Sequence, residues 1–335
     1  MERRKAKEYS YGLQESAMRP TDDYKELLGI LERELPRYFS RGLVNVPCVG
    51  CGAERSKPAF AKFGFTYRKC AKCHSVFVSP RPTQAQLDRF YARAKSFKFW
   101  RENIVSQTVD ARRSHQIHPL QAWAKSIVKS RTTRFVHVLD YEQKFLSMWD
   151  AAFVSHFPAL ERVSVTGLAS AKAETPFVKK VPLDRIKPKS VDMVTALDVL
   201  DRAIDPEGTI KTLASLCRRG GVLLLTTNTG SGFEYLVLGA HSPRLIPPDR
   251  LNLLTVEAIM KLLTKNGFEL LDVSTPGKLD MQVVHQAFRE NPEVSVGPFL
   301  EHMFQFRSPL ALESFQNFLQ LNMMSAYLRI AAIKK

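Results

Sequence analysis

Apolar and polar positions divide the chain into two parts with different periods. In the later part, short β-branched or apolar runs lie at residues 134–140, 162–167, 191–197, 221–227, 268–274 and 326–333. Between them, apolar residues recur at the three- and four-residue spacing of a helix face over 143–156, 207–217, 255–266 and 309–321. Such alternation predicts an α/β domain with a doubly wound parallel sheet and helices on both faces. The earlier part reads differently. Residues 21–39 open on Thr-Asp, a capping pair, and continue at helical spacing, and 84–94 and 105–130 are helical again. Between the first and second of these, FAKFGFTYRK supplies strand residues. The pattern changes near residue 130, giving a helical and strand-bearing module over 1–130 and the α/β domain over 131–335. A helical insert at about 282–322 separates the last two strands.

Composition alters this picture little. At 335 residues, 44% hydrophobic and 24% charged, the chain can fill two cores and has no low-complexity tract. No apolar run approaches the roughly 20 residues of a membrane-spanning helix. The start, MERRKAKEYSYG, is basic with no apolar segment behind it, so a cytoplasmic protein without a membrane partner is expected.

Charge adds more. Residues 1–130 hold 25 Lys+Arg against 12 Asp+Glu, and the remaining 205 residues hold 24 against 21. A basic first module implies contact with something anionic: nucleic acid, a phosphorylated or sugar-nucleotide substrate, or an acidic protein partner. Solubility alone accounts for the same numbers, because the basic residues form no tight run.

Four of the five cysteines form two C-x2-C knuckles, Cys48 with Cys51 and Cys70 with Cys73, with 18 residues between them. Each knuckle lets two thiolates bend onto one ion, and the intervening hairpin brings the pairs together as a tetrahedral four-thiolate zinc ribbon over about 45–80. A closed shell of this kind is structural, stabilising a module too small to fold on its own core. His74 follows Cys73 directly but is not needed as a ligand. Cys217 stands alone.

In open α/β sheets, ligands sit off the carboxyl ends of the strands. That rule places Asp140, Asp198, Asp201, Asn228 and Asp280 in the candidate site. The run CRRGGVLLLTTNTG reads as a Gly-Gly turn, a buried strand and a flexible TGSG loop.

The order VLD, VDMVTALDVLDRAIDP, RRGGVLLLTTNTGSGFEYL and NLLTVEAIMKLLTKNGFELL resembles the class I S-adenosylmethionine-dependent methyltransferases. The segment CVGCG…KCAKCHSVFVSPRPTQAQLDRFY looks like the zinc-binding part that precedes this domain in a bacterial subgroup often linked to sugar or surface-glycan biosynthesis. The resemblance implies a Rossmann-like methyltransferase sheet and S-adenosylmethionine as cofactor, held near Asp140, Tyr141, Asp198 and Val199. It also implies methyl transfer to a small-molecule or sugar-type acceptor. A base for that transfer is expected from Asp201 or Asp280, with His241 and His285 as weaker candidates.

The departures fall where the cofactor should sit. The family's glycine-rich loop after the first strand is replaced by Tyr141, Glu142, Gln143 and Lys144. The ribose-binding acid has no counterpart in VSVTGLASAK, where Gly167 or Leu168 stands. Losing hydrogen bonds between a carboxylate and a diol costs on the order of 1.5–3 kcal/mol each. Three readings follow: a methyltransferase with an unusual cofactor loop, an inactive methyltransferase-like scaffold or regulatory partner, and a nucleic-acid-binding protein. In the third, Phe63, Phe65, Tyr67, Phe97, Phe99 and Trp100 would stack on bases beside the basic residues.

Overall fold

The computed structural model describes residues 14–129, 134–142, 146–167 and 177–335. Helix α1 (Thr21–Phe39) leads to a ribbon of β1 (Ser56–Lys62), β2 (Phe65–Cys70) and β3 (Val76–Val78). Helix α2 (Gln84–Arg93) follows, capped by a reciprocal pair of Thr83 and Gln86 hydrogen bonds. A winding helical stretch then carries α3 (Lys95–Phe99), α4 (Val109–Arg112) and α5 (His118–Lys129), with π-helical turns at Trp100–Val105 and Arg113–Ile117. The Thr-Asp cap expected at residue 21 is not used: Thr21 is already helical, and Pro20 occupies the cap without a side-chain bond.

The α/β part contains β4 (His137–Asp140), α6 (Ala151–Val154), β5 (Arg162–Val165), β6 (Val178–Lys180), β7 (Val191–Leu197) and α7 (Pro206–Leu216). It continues through β8 (Cys217–Asn228), α8 (Phe233–Leu238), β9 (Asn252–Leu253), α9 (Val256–Lys265) and β10 (Phe268–Ser274). The insert α10 (Asp280–Glu290), α11 (Pro298–Phe306) and α12 (Pro309–Leu321) precedes β11 (Tyr327–Lys334). Only Ala151–Val154 of the helix expected over 143–156 is formed, with Asp150 as its cap, and residues 143–145 lie outside the described residues.

The seven-stranded sheet runs β10-β11-β8-β7-β4-β5-β6. Strands β6, β5, β4, β7 and β8 are parallel, whereas β11 is antiparallel to both β8 and β10. The sheet is therefore mixed rather than wholly parallel, because the insert returns the chain between two neighbours from the opposite end. Pleating sorts the core: Leu223 and Leu225 of β8 pack with α7 and α9, while Val222 and Leu224 face α5 and α6.

The ribbon sheet has a fourth strand, β9, contributed by residues of the later part of the chain. Leu245, Leu251 and Leu253 share one core with Leu27, Leu31 and Leu35 of α1. The TGSG segment after β8 is pinned rather than loose. A Cβ on Gly230 would meet the Leu253 carbonyl oxygen at 2.4 Å, and one on Gly232 would meet the Ala326 Cα at 2.3 Å. Both glycines are close-approach positions. Among the described residues no helix is long and apolar enough to cross a membrane.

Candidate active site and metal centre

The four cysteine sulfurs lie within 4.8 Å of one another, with Cys48 Sγ 3.5 Å from Cys73 Sγ and Cys51 Sγ 3.6 Å from Cys70 Sγ. The knuckles fold this way because each is a tight turn. The Gly52 amide donates to the Cys48 carbonyl at 2.7 Å, with Gly52 at φ 72°, and the Lys72 amide donates to Cys70 Sγ at 3.3 Å. Four thiolates in this arrangement can hold one metal ion. His74 is exposed and outside the cluster. The knuckle is tied to the α/β part: the Thr255 hydroxyl donates to the Cys73 carbonyl at 3.2 Å, and the Thr255 amide to Ser75 Oγ at 3.0 Å.

The second site lies where β4, β7 and β8 end. Asp140, 1% exposed, accepts from Thr195 Oγ1 at 2.8 Å and Ser147 Oγ at 2.9 Å. Burial pushes its carboxyl up to about 6 against those two bonds. Next in chain, Tyr141 is buried and its amide donates to the Thr195 carbonyl at 2.8 Å. Glu142 (φ 52°) and Asp198 (φ 54°) both hold left-handed backbone, a conformation costly for residues with a Cβ. Arg202 ties the two strand ends together, donating to the carbonyls of Asp198, at 2.9 Å, and Glu142. Asp198 is half-buried and its carboxylate accepts from Thr226 Oγ1 at 3.0 Å. Val199 turns inward, its side chain in the core under the sheet, so only its backbone could reach a ligand.

Three adjoining cavities line this edge, sharing Arg112 and Gln116. One of about 90 Å³ lies against Asp140, Tyr141, Asp198 and Tyr327. A second, of about 160 Å³, runs under α1 beside Tyr24, Tyr91, Phe97 and Arg250. The third, of about 300 Å³, opens between α4 and the turn before α10. Together they reach the size of small-molecule sites, roughly 300–1,000 Å³.

The two acids expected to supply a base are elsewhere engaged. Asp201, fully buried, accepts from the Thr227 hydroxyl, the Asn228 amide at 2.9 Å and Asn228 Nδ2 at 2.7 Å, and pairs with Arg250 at 3.0 Å. Asp280 accepts from the Ala326 amide at 2.7 Å, Ser325 Oγ at 2.6 Å and Gln316 Nε2 at 3.1 Å. Both carboxylates fasten one loop to another, every oxygen already accepts a bond, and they are 0% and 1% exposed, so neither is placed as a base. His285 stacks on Phe304 with centroids 4.6 Å apart inside the insert, and burial lowers its pKa to about 4. His241 is exposed beside Asn291. The aromatic residues read as base-stacking candidates pack into the first module's core instead.

The cavities' cationic side chains, Arg19, Arg112, Arg202, Arg244, Arg250 and Arg329, were not read as site residues from sequence. They come from six separate segments together with Lys278, and the available hint was only the surplus of basic residues. Arg244 and Arg250 flank Pro247-Pro248, a rigid turn that a closer reading could have marked.

The sheet order, with its antiparallel β11 between β10 and β8, and a cavity at the ends of β4 and β7 define a class I S-adenosylmethionine-dependent methyltransferase fold. The chain belongs to a methyltransferase-domain family, whose model matches residues 49–273. Solved structures similar in fold include an S-adenosylmethionine-dependent methyltransferase from Listeria monocytogenes (14% identity, 64% of this chain and 99% of that one, TM-score 0.38). Another, from Mesorhizobium loti, is 14% identical over 65% of this chain and 100% of its own, TM-score 0.40. A third is Haemonchus contortus phosphoethanolamine N-methyltransferase 2 in complex with S-adenosyl-L-methionine (15%, 70% and 58%, TM-score 0.44). No curated protein sequence matches the chain.

The described residues fit the cofactor's amino-acid end. Glu142 supplies the left-handed turn that a glycine would, and Asp140 and Asp198 border a cavity beside it. Of the two positions where the ribose-binding acid would stand, Gly167 is described, at φ 98°, and offers no side chain, whereas Leu168 lies outside the described residues, as do Gln143 and Lys144.

Proposed function

We propose that the chain transfers a methyl group from S-adenosylmethionine to a small-molecule acceptor. The cofactor would meet the ends of β4 and β7, and the acceptor would sit in the two larger cavities under the first module. The observation that carries this reading is Asp198, which lines both the cavity against Asp140 and the one under α1. When bound, the cofactor supplies an activated methyl group. The chain's own part is positioning. Asp140 and the backbone of Asp198 and Val199 would hold the amino-acid end, Tyr141 would exclude water, and Asp198 would accept the acceptor's proton as the half-exposed carboxylate at the junction. The four-cysteine centre would hold Zn2+ as a structural ion. A sugar-type acceptor remains part of this reading through the resemblance alone, and a cytoplasmic location is proposed with it.

One observation favours a second reading, an inactive scaffold: Arg202 clamps the Glu142 and Asp198 carbonyls, and side chains stand where the family has a glycine loop. A calorimetric titration of the zinc-loaded protein with S-adenosylmethionine and S-adenosylhomocysteine separates the two. Saturable binding that is weakened in Asp198→Ala supports the enzyme. No heat at millimolar ligand overturns it and leaves the scaffold.

A further inference from the structure

The cavity of about 300 Å³ has an unusual wall. Arg19, Arg112, Arg244, Lys278 and Arg329 line it, and among the described residues no carboxylate does. Three of these cations are answered by acids behind them. Arg19 pairs with Glu15, Arg244 with Glu234, and Arg329 feels the charge of Asp272. Arg112 is different. It is only 9% exposed, and its Nε donates to Thr108 Oγ1 at 2.7 Å and its Nη2 to the Met18 carbonyl at 2.8 Å, both neutral acceptors. Among the described residues it forms no ion pair, although Asp198 acts on it through space.

A buried guanidinium without an anion is costly, and folds retain such charges where a partner completes them. Burial already lowers Arg112's pKa to about 10, the direction expected of a cation short of a counter-charge. The helix is also set apart locally. Arg112 ends a four-residue α-helical turn, with a π-helical stretch beginning at Arg113, and π-turns recur at functional sites. Lys278, exposed in the turn before α10, supplies a second cation to the same cavity.

We propose that this cavity binds a phosphate group carried by the methyl acceptor, with Arg112 and Lys278 as its principal cationic contacts. The proposal rests on the methyl-transfer reading for the word acceptor, and on the cavity alone for the anion. Phosphate is favoured over carboxylate because two cations that form no ion pair among the described residues match a dianion. Guanidinium forks also suit its tetrahedral oxygens. Arg19 and Arg244, oriented by Glu15 and Glu234, would frame the group, and Gln116 lines both this cavity and the two that Asp198 lines.

The test is a titration of the full-length, metal-loaded protein with inorganic phosphate at low ionic strength, without S-adenosylmethionine. Saturable millimolar binding is expected. It should weaken about tenfold in Arg112→Gln, the loss of one charge-assisted bond pair, and severalfold in Lys278→Gln. Lys187→Gln, exposed in the loop that leads into β7, should leave it unchanged. Because Lys278 is exposed, its variant keeps the test decisive even if Arg112→Gln does not fold. No saturable binding, or equal weakening in Lys187→Gln, overturns the phosphate site. Phosphate binding without S-adenosylmethionine binding sinks the methyl-transfer reading and keeps the anion site. The reverse result sinks the anion site alone.

Discussion

Arg250 and Asp201 form a buried ion pair, 3.0 Å between guanidinium and carboxylate, at the point where the loop before β9 crosses the end of β8. Asp201 also accepts from Thr227 and Asn228, and its own carbonyl accepts from the Leu251 and Asn252 amides at 2.7 and 2.9 Å. One residue thus holds the turn after β7 and the segment that completes the ribbon sheet.

Replacing Asp201 should therefore cost stability. Asp201→Ala leaves Arg250 buried and unpaired, which costs about 3–5 kcal/mol. Urea denaturation should show the midpoint falling with the slope unchanged. A variant as stable as the parent but inactive would instead mark Asp201 as the base.

Asp140 should make stability depend on pH. Its carboxyl is raised from 3.8 to about 6 by burial, so the native state binds a proton more tightly than the unfolded chain. Its contribution favours the fold most at low pH, declines as pH rises from about 4 to about 6, and is flat above that. Asp140→Asn should flatten this segment of the stability–pH curve, measured by chemical denaturation from pH 4 to 7. An unchanged curve would place the carboxyl in its ordinary range.

Glu142 offers a test in the opposite direction. Its left-handed backbone at φ 52° costs a β-carbon-bearing residue about 1–2 kcal/mol that glycine does not pay. Glu142→Gly should raise the melting temperature, or hold it level if the more flexible unfolded chain offsets the gain. It should also strengthen S-adenosylmethionine binding by opening the cavity at Tyr141. A clear fall in melting temperature would show that the Glu142 side chain stabilises the loop.

Metal removal should reach beyond the ribbon. Thr255 caps α9 and bonds to both the Cys73 carbonyl and Ser75. Cys70→Ser should abolish one equivalent of bound zinc, measured by elemental analysis, and speed hydrogen exchange in the first turn of α9 as well as in β1–β3. Exchange confined to β1–β3 would mean the knuckle and the α/β part are independent.

Hydrophobic period and turn residues fixed the elements because those signals are local. The runs around 191–197 and 268–274 became β7 and β10, and Pro206–Leu216, Val256–Lys265 and Pro309–Leu321 became helices close to their expected limits. The cysteine knuckles were equally legible, since ligand spacing is written directly in the chain. Short β6 and β9 were not, because three and two residues carry no period. The direction of β11 also depended on where the insert delivered the chain.

The active-site edge divides in the same way. That acids follow β4 and β7 could be read from Asp140 and Asp198. Which acids stay open to a ligand could not, because Asp201 and Asp280 look no different in sequence from free carboxylates. Their partners, Arg250, Asn228, Ser325 and Gln316, arrive from segments up to 49 residues away. The cationic cavity is the clearest case. Arg19, Arg112, Arg244 and Lys278 are unremarkable surface-type residues along the chain, and only the packing of the first module against the sheet edge brings them to one cavity and leaves Arg112 without an ion pair among the described residues.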